Sequence, residues 1–326
     1  GDSFYSFSSN EYAIVDNTLY FVATDGILGS ELWKTDGSEE GTVAVSDINP
    51  FGSCGCNNFI TFGDEVYFSA HDGTAGYELW KSDGTTEGTQ MVIDLAPGEE
   101  DGFRFDLAVV FQDMLYFAGD NDEHGEELWK TDGTEEGTSM VRDIYPNVNG
   151  FARSSRPGNF FVSGNVLYFI ATDETGTKIW RTDGTEEGTE KASDFEADHN
   201  TQITPAGDQL LFPVNDGVNG FELWRSGPEL EEPVRMTDII PGSGSSGPQI
   251  YGFYNGSLYF TAIDNEHGRE LWTLTPYDIR AELNPVGEQI CENSDSITFS
   301  ALVESPDTSL EFQWYINDQL IDDQSD

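Results

Sequence analysis

Short apolar runs of four to six residues, rich in Val, Ile, Tyr and Phe, alternate with Gly, Asn and Asp along most of this chain. One stretch shows the unit: FITF (59–62), Gly63-Asp64, EVYFSA (65–70), HDGTAGY (71–77), ELWKSD (78–83), a turn over 84–88, then TQMVIDL (89–95). Runs of this length, with no helical stripe anywhere, predict strands, and Gly-Asp and Asp-Gly supply the positive φ of tight hairpins. The unit therefore reads as a four-stranded antiparallel meander. In LYFVA (19–23), Leu19, Phe21 and Ala23 face one way and Tyr20 and Val22 the other. Both sets are apolar, as a middle strand covered on both faces requires.

The unit recurs. Trp33, Trp80, Trp129, Trp180, Trp224 and Trp272 each sit in a near copy of one phrase, 44 to 51 residues apart. A period of that size calls for a solenoid, a propeller or an array. One sheet cannot bury both of its faces, so copies must stack, and hairpin turns disfavour a solenoid. The expectation is an all-β six-bladed β-propeller of four-stranded antiparallel blades over residues 1–276. Blade 6 lacks the VxDI strand of the other copies, and Gly1 aligns just after such a strand. An upstream strand would close a six-bladed ring; further upstream blades, a strand from residues 277–284 or a three-stranded blade 6 are the alternatives.

After Pro276 the vocabulary changes, with strand alternation, Cys291 and Trp314 but no ELW phrase. Residues 277–326 are expected to form the N-terminal half of an immunoglobulin-like β-sandwich, with Trp314 on its third strand and the second Cys missing. That fold needs about 100 residues, so the protein is expected to continue.

The phrases SELWKTDGSEEGT (30–42), YELWKSDGTTEGT (77–89), EELWKTDGTEEGT (126–138) and KIWRTDGTEEGT (178–189) resemble the ELWxxDGT repeat of secreted bacterial proteins. The likeness spans about residues 1–276. Blade 5 departs, with ELWRSGPELEEP (222–233) losing DGT, and blade 6 stops at ELWTLTP (270–276). The family is common among exported and surface proteins of the Bacteroidota, often with a type IX secretion sorting domain. The resemblance implies an extracellular or cell-surface location and the type IX machinery as partner; it implies no chemistry.

Composition narrows the partners. Fourteen Lys and Arg stand against 61 Asp and Glu, a formal net charge of −47, which repels nucleic acid and anionic membranes. No apolar run approaches the roughly 18 residues of a membrane span, so no membrane insertion is expected of this segment. Cys54 and Cys56 lie two residues apart, within reach of a small disulfide ring.

Candidate chemistry is sparse. Asp25, Asp72, Asp173, Asp216 and Asp264 occupy one aligned place in the loop between the second and third strands, and blade 3 offers Asp120 and Asp122 there. Calcium, which needs six to eight oxygens, is the cofactor considered for these positions; the alternative is an Asx turn. Asp36, Asp83, Asp132 and Asp183 of the DGT turns are expected to tie down local backbone. The repeated Trp is expected to be inter-blade core. The basic residue after it (Lys34, Lys81, Lys130, Arg181, Arg225) is expected to pair with the VxDI aspartate (Asp47, Asp94, Asp143, Asp194, Asp238). Arg104, Arg153 and Arg156, in blade-to-blade loops of so acidic a chain, form a candidate contact for an anionic ligand. No catalytic motif appears among the scattered His71, His124, His199 and His267. The expectation is a non-catalytic binding, adhesion or scaffold segment whose partner is a glycan or a surface protein. Its rivals are a carbohydrate-active enzyme at the channel mouth and a passive spacer in a surface filament.

Overall fold

The computed structural model describes residues 11–27, 29–103, 108–206, 209–227, 230, 233–274, 314–316 and 319–321. They form 25 strands, and no helix occurs among them. Sheet 1 contains β1 (Tyr12–Val15), β2 (Thr18–Thr24), β3 (Ser30–Thr35) and β4 (Val43–Ser46). Sheet 2 contains β5 (Asn57–Phe62), β6 (Glu65–Ala70), β7 (Glu78–Ser82) and β8 (Gln90–Ile93). Sheet 3 contains β9 (Val109–Phe111), β10 (Met114–Asp120), β11 (Glu126–Thr131) and β12 (Ser139–Arg142). Sheet 4 contains β13 (Gly158–Ser163), β14 (Val166–Asp173), β15 (Gly176–Thr182) and β16 (Glu190–Lys191). Sheet 5 contains β17 (Thr204–Ala206), β18 (Gln209–Asn215), β19 (Phe221–Ser226) and β20 (Val234–Arg235). Sheet 6 has three described strands, β21 (Gln249–Tyr254), β22 (Ser257–Asp264) and β23 (Gly268–Leu274). Every sheet is a meander in chain order. A separate hairpin joins β24 (Trp314–Ile316) to β25 (Gln319–Ile321), with Trp314 opposite Ile321. The rest of the stretch expected to be immunoglobulin-like, and residues 277–284, lie outside the described residues.

The chain divides into two compact bodies, Gly1–Ile250 with Thr261–Glu270, and Tyr251–Phe260 with Leu271–Asp326. In the first body the two-faced strand pattern has the expected consequence. Consecutive sheets share their cores. Tyr67, Leu79, Val92 and Leu95 of sheet 2 and its outgoing segment pack with Leu115, Phe117 and Trp129 of sheet 3. Tyr116, Leu128 and Val141 of sheet 3 in turn pack with Leu167, Phe169 and Trp180 of sheet 4. Within the middle strands of sheets 3 and 4, then, Leu and Phe face the preceding sheet and Tyr faces the next. Trp lies opposite the Phe of its neighbouring strand, as in Phe117↔Trp129 and Phe169↔Trp180, and so joins the same cluster. Its place in the inter-sheet core follows directly from that register.

A one-residue bulge falls at the Leu-Trp step in sheets 1, 2 and 3. In sheet 3, Leu128 faces Arg142 and Trp129 faces Met140, leaving Val141 as the extra residue. Its side chain, like those of Val45 and Val92, is buried. The extra valine of VxDI thus enters the core and turns the fourth strand toward the next sheet.

Candidate functional site

The two ends of the sheets are built differently, as sheets 1 to 4 show. One end carries the DGT turns between the third and fourth strands, and its chemistry is consumed locally. In sheet 3, Asp132 Oδ1 accepts from Thr134 N at 2.9 Å and from Thr134 Oγ1 at 2.7 Å. Gly137 N donates to Thr134 Oγ1 at 3.0 Å, Thr138 Oγ1 donates to Thr134 O at 2.6 Å, and Thr131 and Thr138 hydroxyls meet at 2.7 Å. The hydroxyl of Thr134 and the N–H of the same residue hold Asp132 below the usual carboxylate range. A Cβ on Gly137 would overlap that carboxylate, which is why the second glycine of DGTxxGT recurs. The first glycine, Gly133 at φ +91, lies against the Tyr67 hydroxyl of the preceding sheet. Gly84 and Gly184 meet Tyr20 and Tyr116 in the same way. Burial and the nearby turn aspartates Asp83 and Asp183 raise the Tyr20 and Tyr116 hydroxyls above their ordinary value.

These turns also redirect the cations. Lys34 Nζ donates to Gly84 O at 2.7 Å and Lys130 Nζ to Gly184 O at 2.8 Å, each reaching the following sheet. Lys81 meets Glu65 at 3.2 Å and Arg181 meets Glu190 at 2.6 Å. The expected ring of pairs with the VxDI aspartates is therefore replaced: Asp143 contacts His124 at 2.9 Å and Asp238 contacts Arg235 at 3.2 Å. A lysine on the third strand points toward the DGT end, whereas the VxDI aspartate begins the connector at the other end.

That other end is made of the loops between second and third strands and the connectors between sheets, laid side by side. Thr172 N donates to Ser155 O at 2.8 Å, and Ser155 N donates to Glu126 O at 2.9 Å, so one connector residue bridges two sheets. Cys54 repeats the pattern with Ser30 O and His71 N, as does Ser246 with Phe221 O and Ile263 N.

Beneath these connectors lies a feature the sequence reading passed over. The glutamate of ELW is buried: Glu31, Glu78, Glu127 and Glu222 are 0 to 1 % exposed. Each collects N–H groups from the outgoing connector. Glu127 accepts from Ile144 N at 3.0 Å, Tyr145 N at 3.2 Å and Ser155 Oγ at 2.6 Å. Glu78 accepts from Leu95 N at 3.2 Å, Ala96 N at 3.4 Å and Gly102 N at 3.0 Å. Burial pushes both carboxyls up to about 7, against the pull of those donors; Asp94 and Asp143 add to the rise. In sheet 4 the position is Lys178, whose Nζ donates to Asp194 O at 2.9 Å instead. The available signal was a charged residue, repeated in register within an otherwise apolar strand.

The aligned loop aspartates close Asx turns. Asp72 Oδ1 accepts from Thr74 N, Thr74 Oγ1 and Ala75 N at 2.7 to 2.8 Å. Asp25 accepts from Ile27 N, Asp173 from Thr175 N, Asp216 from Val218 N and Asn219 N, and Asp264 from Glu266 N and His267 N. These backbone and side-chain donors hold Asp264 down to about 2, and outweigh the upward push of burial at Asp72 and Asp216. Asp173 additionally meets Lys191 Nζ at 2.6 Å. One carboxylate per loop, its Oδ1 already committed to N–H groups, is a poor calcium shell. Among the described residues no three His, Cys, Asp or Glu side chains gather to hold a metal.

The copy-specific residues cluster partly. Asp120 Oδ1 accepts from Asp122 N at 2.9 Å, while Asn121 Oδ1 accepts from His124 N at 2.9 Å. Asn147 on the next connector donates to Glu123 O. Gly125 lies against Arg153 O, which brings the Asp120–His124 loop beside the Arg153–Arg156 segment. Arg153 stacks over the Tyr145 ring at 4.8 Å; Arg156 is exposed, at φ +51. Arg104 lies outside the described residues. Cys54 and Cys56 form a disulfide with Cα atoms 5.2 Å apart, and Cys54 N donates to Glu31 Oε1 at 3.0 Å.

No protein-family model matches the chain, and no curated protein matches it. Solved structures give fold likenesses at low identity. Prolyl oligopeptidase B from Galerina marginata, bound to a 35mer substrate, is 14% identical over 81% of this chain and 41% of its own, with a TM-score of 0.47. A puromycin hydrolase mutant is 14% identical over 75% and 40%, with a TM-score of 0.43. A putative TolB from Agrobacterium tumefaciens is 12% identical over 70% and 79%, with a TM-score of 0.36. The chain spans about two fifths of the first two proteins, and such likenesses concern fold alone.

Proposed function

We propose that the six sheets are the blades of a β-propeller followed by an immunoglobulin-like module. On this reading the chain is a non-catalytic binding segment of a secreted or surface protein exported by type IX machinery. The observation that carries the binding role is the division of labour between the two ends of each sheet. Repeated residues are spent on turns, core and connectors, while residues that differ between copies gather at the loop end, around Asp120–His124 and Arg153–Arg156. The carboxyls near 7, Glu78 and Glu127, invite comparison with general acids. Their burial and three donors apiece suit a structural role, since no substrate oxygen could reach them.

The test is a screen of glycans and proteins for binding and turnover, with and without calcium. Saturable binding of one probe, altered in Arg104→Ala/Arg153→Ala/Arg156→Ala, is the expected result. Turnover of any glycan would favour the enzyme and sink the proposal; no binding to any probe would leave the spacer.

A further inference from the structure

Exposed apolar side chains are unevenly shared between the two ends. In the first body, the large hydrophobics more than 60 % exposed among the described residues are Ile27 at 84 %, Phe51 at 79 %, Phe151 at 77 % and Val218 at 67 %. All four stand at the loop end. Ile27 and Val218 occupy the loops between second and third strands of sheets 1 and 5, and Phe51 and Phe151 occupy connectors. The loop and connector series is continuous around them. Gly29, two residues after Ile27, lies against Gly52, and Phe51 itself lies against Gly73 of the next loop. None of these side chains belongs to a core cluster, and each leaves apolar area in water that a partner could cover.

The surroundings say what kind of molecule would cover them. Asp25, Asp47, Glu99, Glu100, Asp122 and Glu123 are exposed in the same loops and connectors. Of the few cations there, Arg153 is stacked on Tyr145 and Lys178 is bonded to the Asp194 carbonyl, while Arg156 is exposed but outnumbered by these carboxylates. At a formal net charge of −47, a second copy of this chain, an anionic lipid surface or an acidic glycan meets repulsion. A neutral sugar draws on aromatic faces and hydrogen bonds, and two of the four exposed groups are aliphatic. A basic polypeptide is steered by the field and can seat apolar side chains between the charges.

We propose that the loop end docks a cationic polypeptide segment whose apolar side chains seat against Ile27, Phe51, Phe151 and Val218. This rests on the binding-segment reading and names its partner class. The test uses the full chain and two fluorescein-labelled synthetic peptides of equal charge, one alternating Lys and Leu, the other Lys and Ser, followed by anisotropy at about 0.15 M salt, where long-range attraction is screened. The expected result is at least about tenfold tighter binding of the Lys-Leu peptide, since one good apolar anchor contributes on that scale. Phe51→Ser/Phe151→Ser removes that preference, whereas Val43→Ser/Val234→Ser, on strands away from these loops, keeps it. Thermal melts confirm that both variants fold.

Equal affinity for the two peptides, or a preference unchanged in Phe51→Ser/Phe151→Ser, overturns the proposal. So does self-association of the wild-type chain that the same substitutions abolish. A chain that binds a glycan but shows no Lys-Leu preference loses this inference and keeps the binding-segment reading; glycan turnover removes both.

Discussion

Replacing Glu127 by Gln isolates the buried carboxyl from the rest of this acidic surface. The folded Glu127 carboxyl titrates near 7, against 4.5 for an unperturbed one. Between those values the folded state holds the proton that the unfolded chain has released, so stability falls as pH rises from about 4.5 to about 7. The difference, at 1.36 kcal/mol per pKa unit, amounts to about 3 kcal/mol for Glu127, and a similar amount applies to Glu78. Gln has nearly the shape of the protonated acid but no proton to lose. Its fixed cost, one or two poorly matched donors at about 1–3 kcal/mol each, is the same at every pH and drops out of the comparison. Urea unfolding at pH steps from about 4.5 to 7.5 should therefore show the variant gaining about 3 kcal/mol on the wild type across the window. High salt removes the competing effect of surface repulsion, because the screening length shrinks to about 3 Å at 1 M. Exposed Glu136→Gln serves as control. The turn aspartates, whose carboxyls are held down, lose their contribution only as pH falls below about 4 and lie outside the window. Parallel stability curves for Glu127→Gln and the wild type would refute the reasoning, and Glu78→Gln repeats the measurement at an independent position.

Three further outcomes follow from the packing. Gly137→Ala drives the Asp132 carboxylate off its two donors and should destabilise by about 1–3 kcal/mol in urea, whereas Gly52→Ala, with its nearest neighbour 4.0 Å away, should stay within about 0.5 kcal/mol. Trp180→Ala empties a place 4 % exposed between sheets 3 and 4 and should cost about 3–5 kcal/mol by calorimetry. Trp180→Phe should cost much less, because the indole N–H makes no hydrogen bond to the protein. Cys54→Ser/Cys56→Ser opens a three-residue ring, for which chain entropy gives only about 1.5 kcal/mol, so a melting point lowered by a few degrees is expected and a collapse of the fold is not.

The meander was legible because turn chemistry and strand period agree in the first four copies. In sheet 2 the predicted 65–70 strand is β6, and ELWKSD ends one residue early, at Ser82, because Asp83 already belongs to the turn. The last strand stops at Ile93, short of the predicted 95, because the N–H groups of Leu95 and Ala96 leave the sheet for Glu78. That carboxylate was illegible for the same reason: a charged residue in a strand reads as solvent-facing, and its partners lie 17 to 24 positions further on. Lys34 and Lys130, each next to the repeated Trp, misled in a related way, since their acceptors are carbonyls about 50 residues away in the next sheet. Within one repeat the loop aspartates could be read either as ligands or as Asx turns, and only the placement of the N–H groups separates the two.

The buried glutamate beneath the connectors that leave sheets 1, 2, 3 and 5 also bears on the order of folding. Its carboxylate belongs to the third strand of one sheet, and every donor it collects arrives within the next 30 residues of chain. No later sheet is required for that bond set to form. The first body can therefore be assembled progressively from its N-terminal side, each finished sheet orienting the segment that starts its successor. Its loop closures stay short, which favours rapid folding for a β protein. A chain made or delivered end first would expose at most one unfinished sheet at a time.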